Sequence, residues 1–223
     1  MKKVVAGFTL VVLFCFSGFV WAQLGGLLGK KDTPKVDAEG LSARSVAVMT
    51  LVKKASIYYA EAVAAMHEAV GNKKTAEQLK QNIADLNSKP GLDSTKVLVS
   101  NTDNAAKEVN STESMSKLAA EDAQKFVGKS ILNVGTGVLL DGLAVQNAGP
   151  LLNEAQGALK QAPITSAGKI KDVVAVGQFV TQDVPPRVTA MKSFSEKLIE
   201  YGKTKGISIS PEEIQQKYNA EKG

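Results

Sequence analysis

A long apolar stripe between residues 49 and 70 constrains the fold more than any other feature of the chain. Its members are spaced by three and four residues without interruption: Met49, Val52, Ser56, Tyr59, Val63, Met66 and Val70. This spacing keeps one face of an α-helix apolar over about three heptads, whereas a half-buried strand would alternate at every second residue. Because Gly71-Asn72 supplies a stop signal, we predict a helix over residues 41–70, about 45 Å long.

The long helix needs partners along most of its length. Helices of this size pack in bundles or coiled coils rather than in mixed sheet proteins. We define the long-helix seam as the five stripe positions that serve as candidate contact residues: Met49, Val52, Tyr59, Val63 and Met66.

Shorter segments along the chain repeat the helical spacing. They cover residues 76–86, 92–109, 170–180 and 188–201. Proline cannot continue a preceding helix, so Pro90-Gly91 should separate the first two segments and Pro185-Pro186 the last two. No segment shows a convincing alternation of the strand type.

A specific signal marks a short helix near the end of the chain. Ser210 is suited to the N-cap, Pro211 to the first helical position, and Glu213 lies three residues after the cap. This combination is a capping box. Together these patterns predict an all-α protein, an elongated antiparallel helical bundle of about five to seven helices with a long first helix.

Glycine is unusually regular in the middle of the chain. Four glycines are separated by seven residues, at positions 128, 135, 142 and 149. Each costs about 1 kcal/mol relative to alanine inside a helix, so a close approach of another helix would be a compensating gain. The predicted packing or partner face combines three of these glycines with two valines of a second heptad register: Gly128, Gly135, Gly142, Val138 and Val145.

Two points about this segment concern helix breaks. The helix is predicted to run to about residue 147 and to break at Gly149-Pro150, because proline removes a backbone hydrogen bond. Continuity across Gly135-Thr136-Gly137 is left open by the sequence. One alternative is a continuous helix with a glycine face, and the other is two ordinary helices separated at these residues.

Residues 126–148 are the most apolar stretch after the N-terminal segment. Lys129, Asn133 and Asp141 interrupt them, and the longest nearly uncharged run is shorter than the roughly 18 residues expected of a membrane span. We therefore expect a buried core helix. Insertion into a membrane is the alternative.

The first 22 residues resemble a secretory signal in their order of properties. Lys2 and Lys3 precede an apolar run, and the stretch ends with Ala22 as a small residue at the expected cleavage position. Cleavage after Ala22 or retention as an anchor both imply export, to the periplasm or the outside of a bacterial cell. Residues 23–40 are then predicted to be a flexible tether and residues 41–223 the helical-bundle domain.

Removal of the signal would change the composition of the mature chain. The only cysteine, Cys15, would be lost, leaving no thiol, disulfide or cysteine metal ligand. The net charge of +5 would fall to +3 with the loss of Lys2 and Lys3. Arg44 and Arg187 are the only arginines, and the chain has few aromatic residues to stack on bases, so nucleic acid is not an expected partner.

No arrangement of residues points to catalysis. His67 is the only histidine, so a zinc site with two histidines cannot form, and we expect His67 to be a partly exposed helical residue. We predict no enzyme, no cofactor and no metal site, with dispersed carboxylates as the one enzymatic alternative.

These observations favour an exported, non-enzymatic helical bundle that binds another envelope protein or a second copy of itself, or supports an envelope structure. The alternative is a membrane-active protein, pore-forming or lipid-binding, that uses the glycine-rich residues 126–148.

Overall fold

A computed structural model describes residues 37–109, 120–207 and 209–222. These residues form helices and connecting turns without a strand, as predicted. The helices are α1 (Ala38–Ala69), α2 (Lys73–Ser88), α3 (Leu92–Val109), α4 (Ala120–Leu159), α5 (Ile164–Gln182), α6 (Val184–Thr204) and α7 (Pro211–Glu221). The protein is an all-α bundle with a long first helix. The predicted signal, residues 1–22, and residues 23–36 of the predicted tether lie outside the described residues.

The long first helix is confirmed, and both its ends have clear causes. It begins at Ala38, three residues earlier than predicted, where the Asp37 carboxylate accepts a hydrogen bond from the backbone N–H of Gly40 (2.9 Å). It ends before Gly71, whose φ of 84° lies in the left-handed region that favours glycine. The predicted stop is therefore in place.

The centre of the bundle is the antiparallel pair of α1 and α4. The Ser130 hydroxyl of α4 donates to the backbone carbonyl of Ala62 in α1 (3.0 Å). Towards the other end of the pair, Arg44 forms an ion pair with Glu154. Helices α5, α6 and α7 pack against α4, while α2 and α3 pack against α1. The two long helices thus carry all the others.

The predicted break at Gly149-Pro150 is wrong, because α4 continues to Leu159. Pro150 lies on the exposed side of the helix, while Ala148, Leu151 and Ala155 are buried on the other side. The hydrogen bond that proline removes is therefore lost on the solvent side. Burial of the opposite face outweighs that loss and keeps the helix in place.

The helix is also continuous across Gly135-Thr136-Gly137, which resolves the alternative left open by the sequence. Both glycines permit close packing. A Cβ at Gly137 would lie 2.5 Å from the ring of Tyr59, and a Cβ at Gly135 would lie 2.8 Å from Ile214. The conformational cost of glycine is thus offset by close approach of two different neighbours.

The two predicted signals near the end of the chain are confirmed. Only Asp183 separates α5 from α6, and Pro185-Pro186 occupies the first turn of α6. In the capping box of α7, the Glu213 N–H donates to the Ser210 hydroxyl (3.2 Å), and the Ser210 N–H donates to the Glu213 carboxylate (2.8 Å).

The expectation that His67 is partly exposed is wrong. Its side chain is 1% exposed, and Nε2 lies 2.9 Å from the backbone oxygen of Ala105 in α3. Because a carbonyl can only accept, Nε2 carries the proton. The side chain is buried because α3 packs over the last turns of α1.

Residues 126–148 supply a core face of α4. Val127, Ser130, Val134 and Leu140 are all fully buried. None of the described helices combines the length and the apolar character of a membrane span.

Candidate interaction groove on α1 and α4

The last helix of the protein lies in a groove between the two longest ones. We define the α1–α4 groove by four residues that contact α7, together with Glu61 of α1; the four are Lys54 and Tyr58 of α1, and Asn133 and Gly135 of α4. Glu61 takes part through its contact with Asn133.

The apolar part of the groove is the surface of Gly135. The Ile214 side chain packs so closely on this glycine that an added Cβ would meet three of its carbons at 2.8 to 3.2 Å. One heptad earlier, Ile207 and Ile209 lie over Gly128, at 3.7 and 3.6 Å from the position of a Cβ. Two glycines of the predicted face are therefore covered by the C-terminal segment of the same chain.

A lysine of α7 lies at one end of the groove. The Lys217 ammonium donates to the Asn133 side-chain oxygen (2.5 Å), and the Asn133 amide donates to the Glu61 carboxylate (3.1 Å). The same ammonium is 4.1 Å from the centre of the Tyr58 ring, within the range of a cation–π contact. The groove thus offers the ammonium one hydrogen-bond acceptor and one aromatic face, and the Glu61 carboxylate acts on it electrostatically.

A glutamate of α7 lies at the other end. The Tyr58 hydroxyl donates to the Glu221 carboxylate (2.6 Å). The Lys54 ammonium donates to the Glu221 backbone oxygen (2.6 Å) and is 3.7 Å from its carboxylate. The middle of α7, at Lys217, and its last residue, Glu221, are therefore fixed by charged hydrogen bonds, which are stronger than neutral ones.

Partial burial changes the protonation equilibria of these groups. Burial lowers the pKa of Lys217, and the positive charge of Lys129 lowers it further. The nearby Glu61 and Glu221 carboxylates partly offset this decrease. Burial also raises the pKa of Tyr58, and the hydrogen bond to Glu221 adds to the effect. Tyr58 is therefore a neutral hydrogen-bond donor across the physiological range.

Contacts in the groove leave α7 only lightly held. None of its residues from Pro211 to Glu221 is fully buried. Ile214, Lys217, Tyr218 and Glu221 are half-buried, and the rest of the helix is exposed. Most of the stabilisation of α7 thus comes from one apolar contact and a small set of polar ones.

The remaining residues of the predicted packing or partner face are arranged differently. Apart from its chain neighbours and the backbone of its own helix, no heavy atom of the described residues lies within 4 Å of a Cβ placed on Gly142. Val138 and Val145 are half-buried and pack on the main core. The heptad register therefore does not form one continuous contact surface, because its members turn gradually around the helix.

The long-helix seam lies in the interior. Val52, Tyr59, Val63 and Met66 are 0% exposed, and Met49 is half-buried. The seam packs within the bundle and is not accessible to a partner in this structure.

A buried polar cluster below the surface is the main feature that the sequence did not indicate. The Arg187 guanidinium of α6 donates to both oxygens of the Asp141 carboxylate of α4, at 2.5 and 2.6 Å, and to the Ser56 hydroxyl of α1 (2.7 Å). The Arg187 and Asp141 side chains are 2% and 0% exposed. The cluster joins three helices, and the scarcity of arginine was the one signal that could have pointed to it.

Two further side chains border this cluster. Arg187 lies 5.2 Å from the centre of the Tyr59 ring. The Tyr59 hydroxyl interacts electrostatically with Asp141 but has no hydrogen-bond partner of ordinary geometry among the described residues. The buried Oδ1 of Asp103 also lacks one there. Burial raises the pKa of Asp103 and of Asp141, and Arg187 opposes the rise in both.

The described residues include no group of three or more histidine, aspartate and glutamate side chains placed to hold a metal ion. Two open grooves of about 190 and 210 Å³ lie in the described part of the chain, one between α2 and α3 and the other between α3 and α6. Neither reaches the Arg187–Asp141 pair.

Comparison of the chain with protein-family models, with curated proteins and with solved structures found no match in any of the three.

Proposed function

We propose that this protein is an exported, non-enzymatic helical bundle that binds another protein or supports a structure in the bacterial envelope. The observation that carries the proposal is the α1–α4 groove, which holds an amphipathic helix without burying any of its residues fully. Docking of an amphipathic helix in a groove is a recurring mode of protein recognition. The signal-like order of residues 1–22 supports export.

Site-specific crosslinking in the native envelope tests the proposal. A photoreactive residue at Lys129, an exposed position of α4 next to the groove, should capture a partner protein or a defined oligomer. The same residue at Gln178, an exposed position on α5, serves as the matched control and should capture neither. A protein that remains strictly monomeric and forms no adduct from position 129 would contradict the proposal. Leakage of liposomes caused by the purified protein would instead favour the membrane-active alternative.

A further inference from the structure

We infer that the α1–α4 groove receives a helix from a partner protein with the pattern of α7, and that α7 occupies the groove in competition with it. The pattern is a branched apolar residue, a lysine three positions later and a carboxylate four positions after the lysine, as in Ile214, Lys217 and Glu221. This inference rests on the proposed function and specifies the chemistry of the partner.

The apolar position is selective because of Gly135. Any side chain at that position would overlap the volume now filled by Ile214, since a Cβ would already lie 2.8 Å from its Cδ1. The missing side chain creates a recess that fits a branched apolar residue. A polar residue placed there would lose hydration without gaining a hydrogen bond, at a cost in affinity.

The charged positions fix the direction of the bound helix. The end of the groove that holds Lys217 presents the Glu61 carboxylate and the Asn133 oxygen. The end that holds Glu221 presents the Lys54 ammonium and the Tyr58 hydroxyl. A helix bound in the opposite direction would place its lysine next to Lys54, so charge complementarity excludes it.

The connection between α6 and α7 allows α7 to leave while the core remains intact. Ile207 is 8% exposed and its backbone N–H donates to the carbonyl of Gly202 (2.9 Å). Gly206, with a φ of 71°, makes the turn that precedes this contact. The chain is therefore held at Ile207 and again at Ile209, which lies over Gly128, and α7 can leave the groove beyond Ile209. An isolated helix as short as α7 is marginal in water, so α7 depends on the groove.

The fraction of grooves that α7 keeps closed determines how much it weakens the binding of another helix. A short flexible linker gives a tethered segment an effective concentration on the order of 1 mM. If a free copy of the α7 segment binds the empty groove with a Kd of about 0.1 mM, the tethered copy closes about nine grooves in ten. Opening the groove should then tighten the binding of an added helix about tenfold.

The test uses a fluorescent peptide of residues 207–222 as the probe and the purified mature protein as the receptor. Ile214→Asp in the receptor removes the apolar contact of α7 while leaving the groove intact. This variant should bind the peptide about tenfold more tightly than the wild type. Ile164→Asp, a substitution of an isoleucine that is 96% exposed outside the groove, is the matched control and should bind like the wild type.

A charge exchange tests whether the peptide binds in the groove and in the direction of α7. In the Ile214→Asp receptor, Lys54→Glu should weaken binding, and the peptide with Glu221→Lys should restore it. Circular dichroism and thermal unfolding of each receptor establish that the bundle is intact.

Failure to bind the peptide more tightly in an intact Ile214→Asp receptor would overturn the inference, as would failure of the exchanged charges to restore binding. Crosslinking from position 129 in the envelope without peptide binding would retain the proposed function and reject this partner chemistry. If neither crosslinking in the envelope nor peptide binding is observed, both the proposed function and this partner chemistry are rejected.

Discussion

The buried ion pair between Arg187 and Asp141 gives the most direct test of the physical account of the bundle. Asp141→Asn removes the charge of the carboxylate but preserves its shape. The guanidinium would then be an uncompensated charge in a site where the side chain is only 2% exposed. We therefore expect a loss of folding stability, because burying an unpaired charge is unfavourable.

The structure sets the size of this loss. Three of the four polar contacts of Arg187 go to Asp141, and the fourth goes to the Ser56 hydroxyl. Removing one partner of a buried pair typically costs about 3–5 kcal/mol. For a domain of this size, each kcal/mol lowers Tm by about 2–4 °C, so Tm should fall by about 6–20 °C.

Chemical and thermal unfolding followed by circular dichroism measure the effect. The double variant Asp141→Leu/Arg187→Met is the control, because replacing a buried pair by apolar residues is often neutral or stabilising. It should recover most of the stability lost by Asp141→Asn. A loss below about 1 kcal/mol in Asp141→Asn, or a double variant less stable than the single one, would refute the reasoning.

The remaining predictions concern glycine packing, pH and helix capping. Gly137→Ala should destabilise the bundle by about 1–3 kcal/mol, because its Cβ would meet a tyrosine ring at 2.5 Å. Gly142→Ala places its Cβ in open space and should stabilise the bundle by up to about 1 kcal/mol. Urea unfolding of both variants measures these changes, and equal changes in the free energy of unfolding would contradict the packing argument. Burial raises the pKa of Asp103 in the folded state. The contribution of this carboxyl group to folding stability is therefore greatest at a pH below its pKa in the unfolded chain, and it is lost as the pH rises through the higher pKa of the folded state. The stability gain of Asp103→Asn over the wild type should therefore be larger at pH 7 than at pH 4, and a gain independent of pH would exclude this cause. Ser210→Ala should cost α7 about 1 kcal/mol, seen as faster hydrogen exchange in α7 only, and uniform exchange across the bundle would argue against a local effect.

Local patterns accounted for the parts of the fold that the sequence predicted. The stripe of α1 repeats every three or four residues, and the capping box around Ser210 satisfies its hydrogen bonds within one turn. Neither feature depends on knowing which helix packs next to it. That independence explains why the type and approximate bounds of these elements could be predicted.

Long-range packing decided the features that were missed. Pro150 remains inside a helix because its neighbours on the opposite face are buried, and His67 is buried because α3 covers it. Arg187 and Asp141 are 46 residues apart in the chain, and no local pattern pairs them. Each outcome depends on tertiary contacts that override local preference.

The candidate groove was predicted only in part. The glycine register indicated that a helix would approach closely, and Gly135 fulfils that description. The sequence did not reveal that the approaching helix belongs to the same chain. It also did not reveal the polar contacts of Tyr58 and Asn133, because single tyrosine and asparagine residues carry no signal of their own.

The pairing of α1 with α4 has a consequence for the speed of folding. The bond from Ser130 to Ala62 joins residues 68 positions apart, and the Arg44–Glu154 pair joins residues 110 positions apart. Helical bundles built from neighbouring helices close short loops and fold fast, whereas this one must close long loops before its central pair can form. If the chain emerges from the N-terminus first, as it does during synthesis or export, α1 remains without its complete main partner until α4, which ends 90 residues after α1, has followed. During that interval its apolar stripe is the surface that chaperones would have to protect.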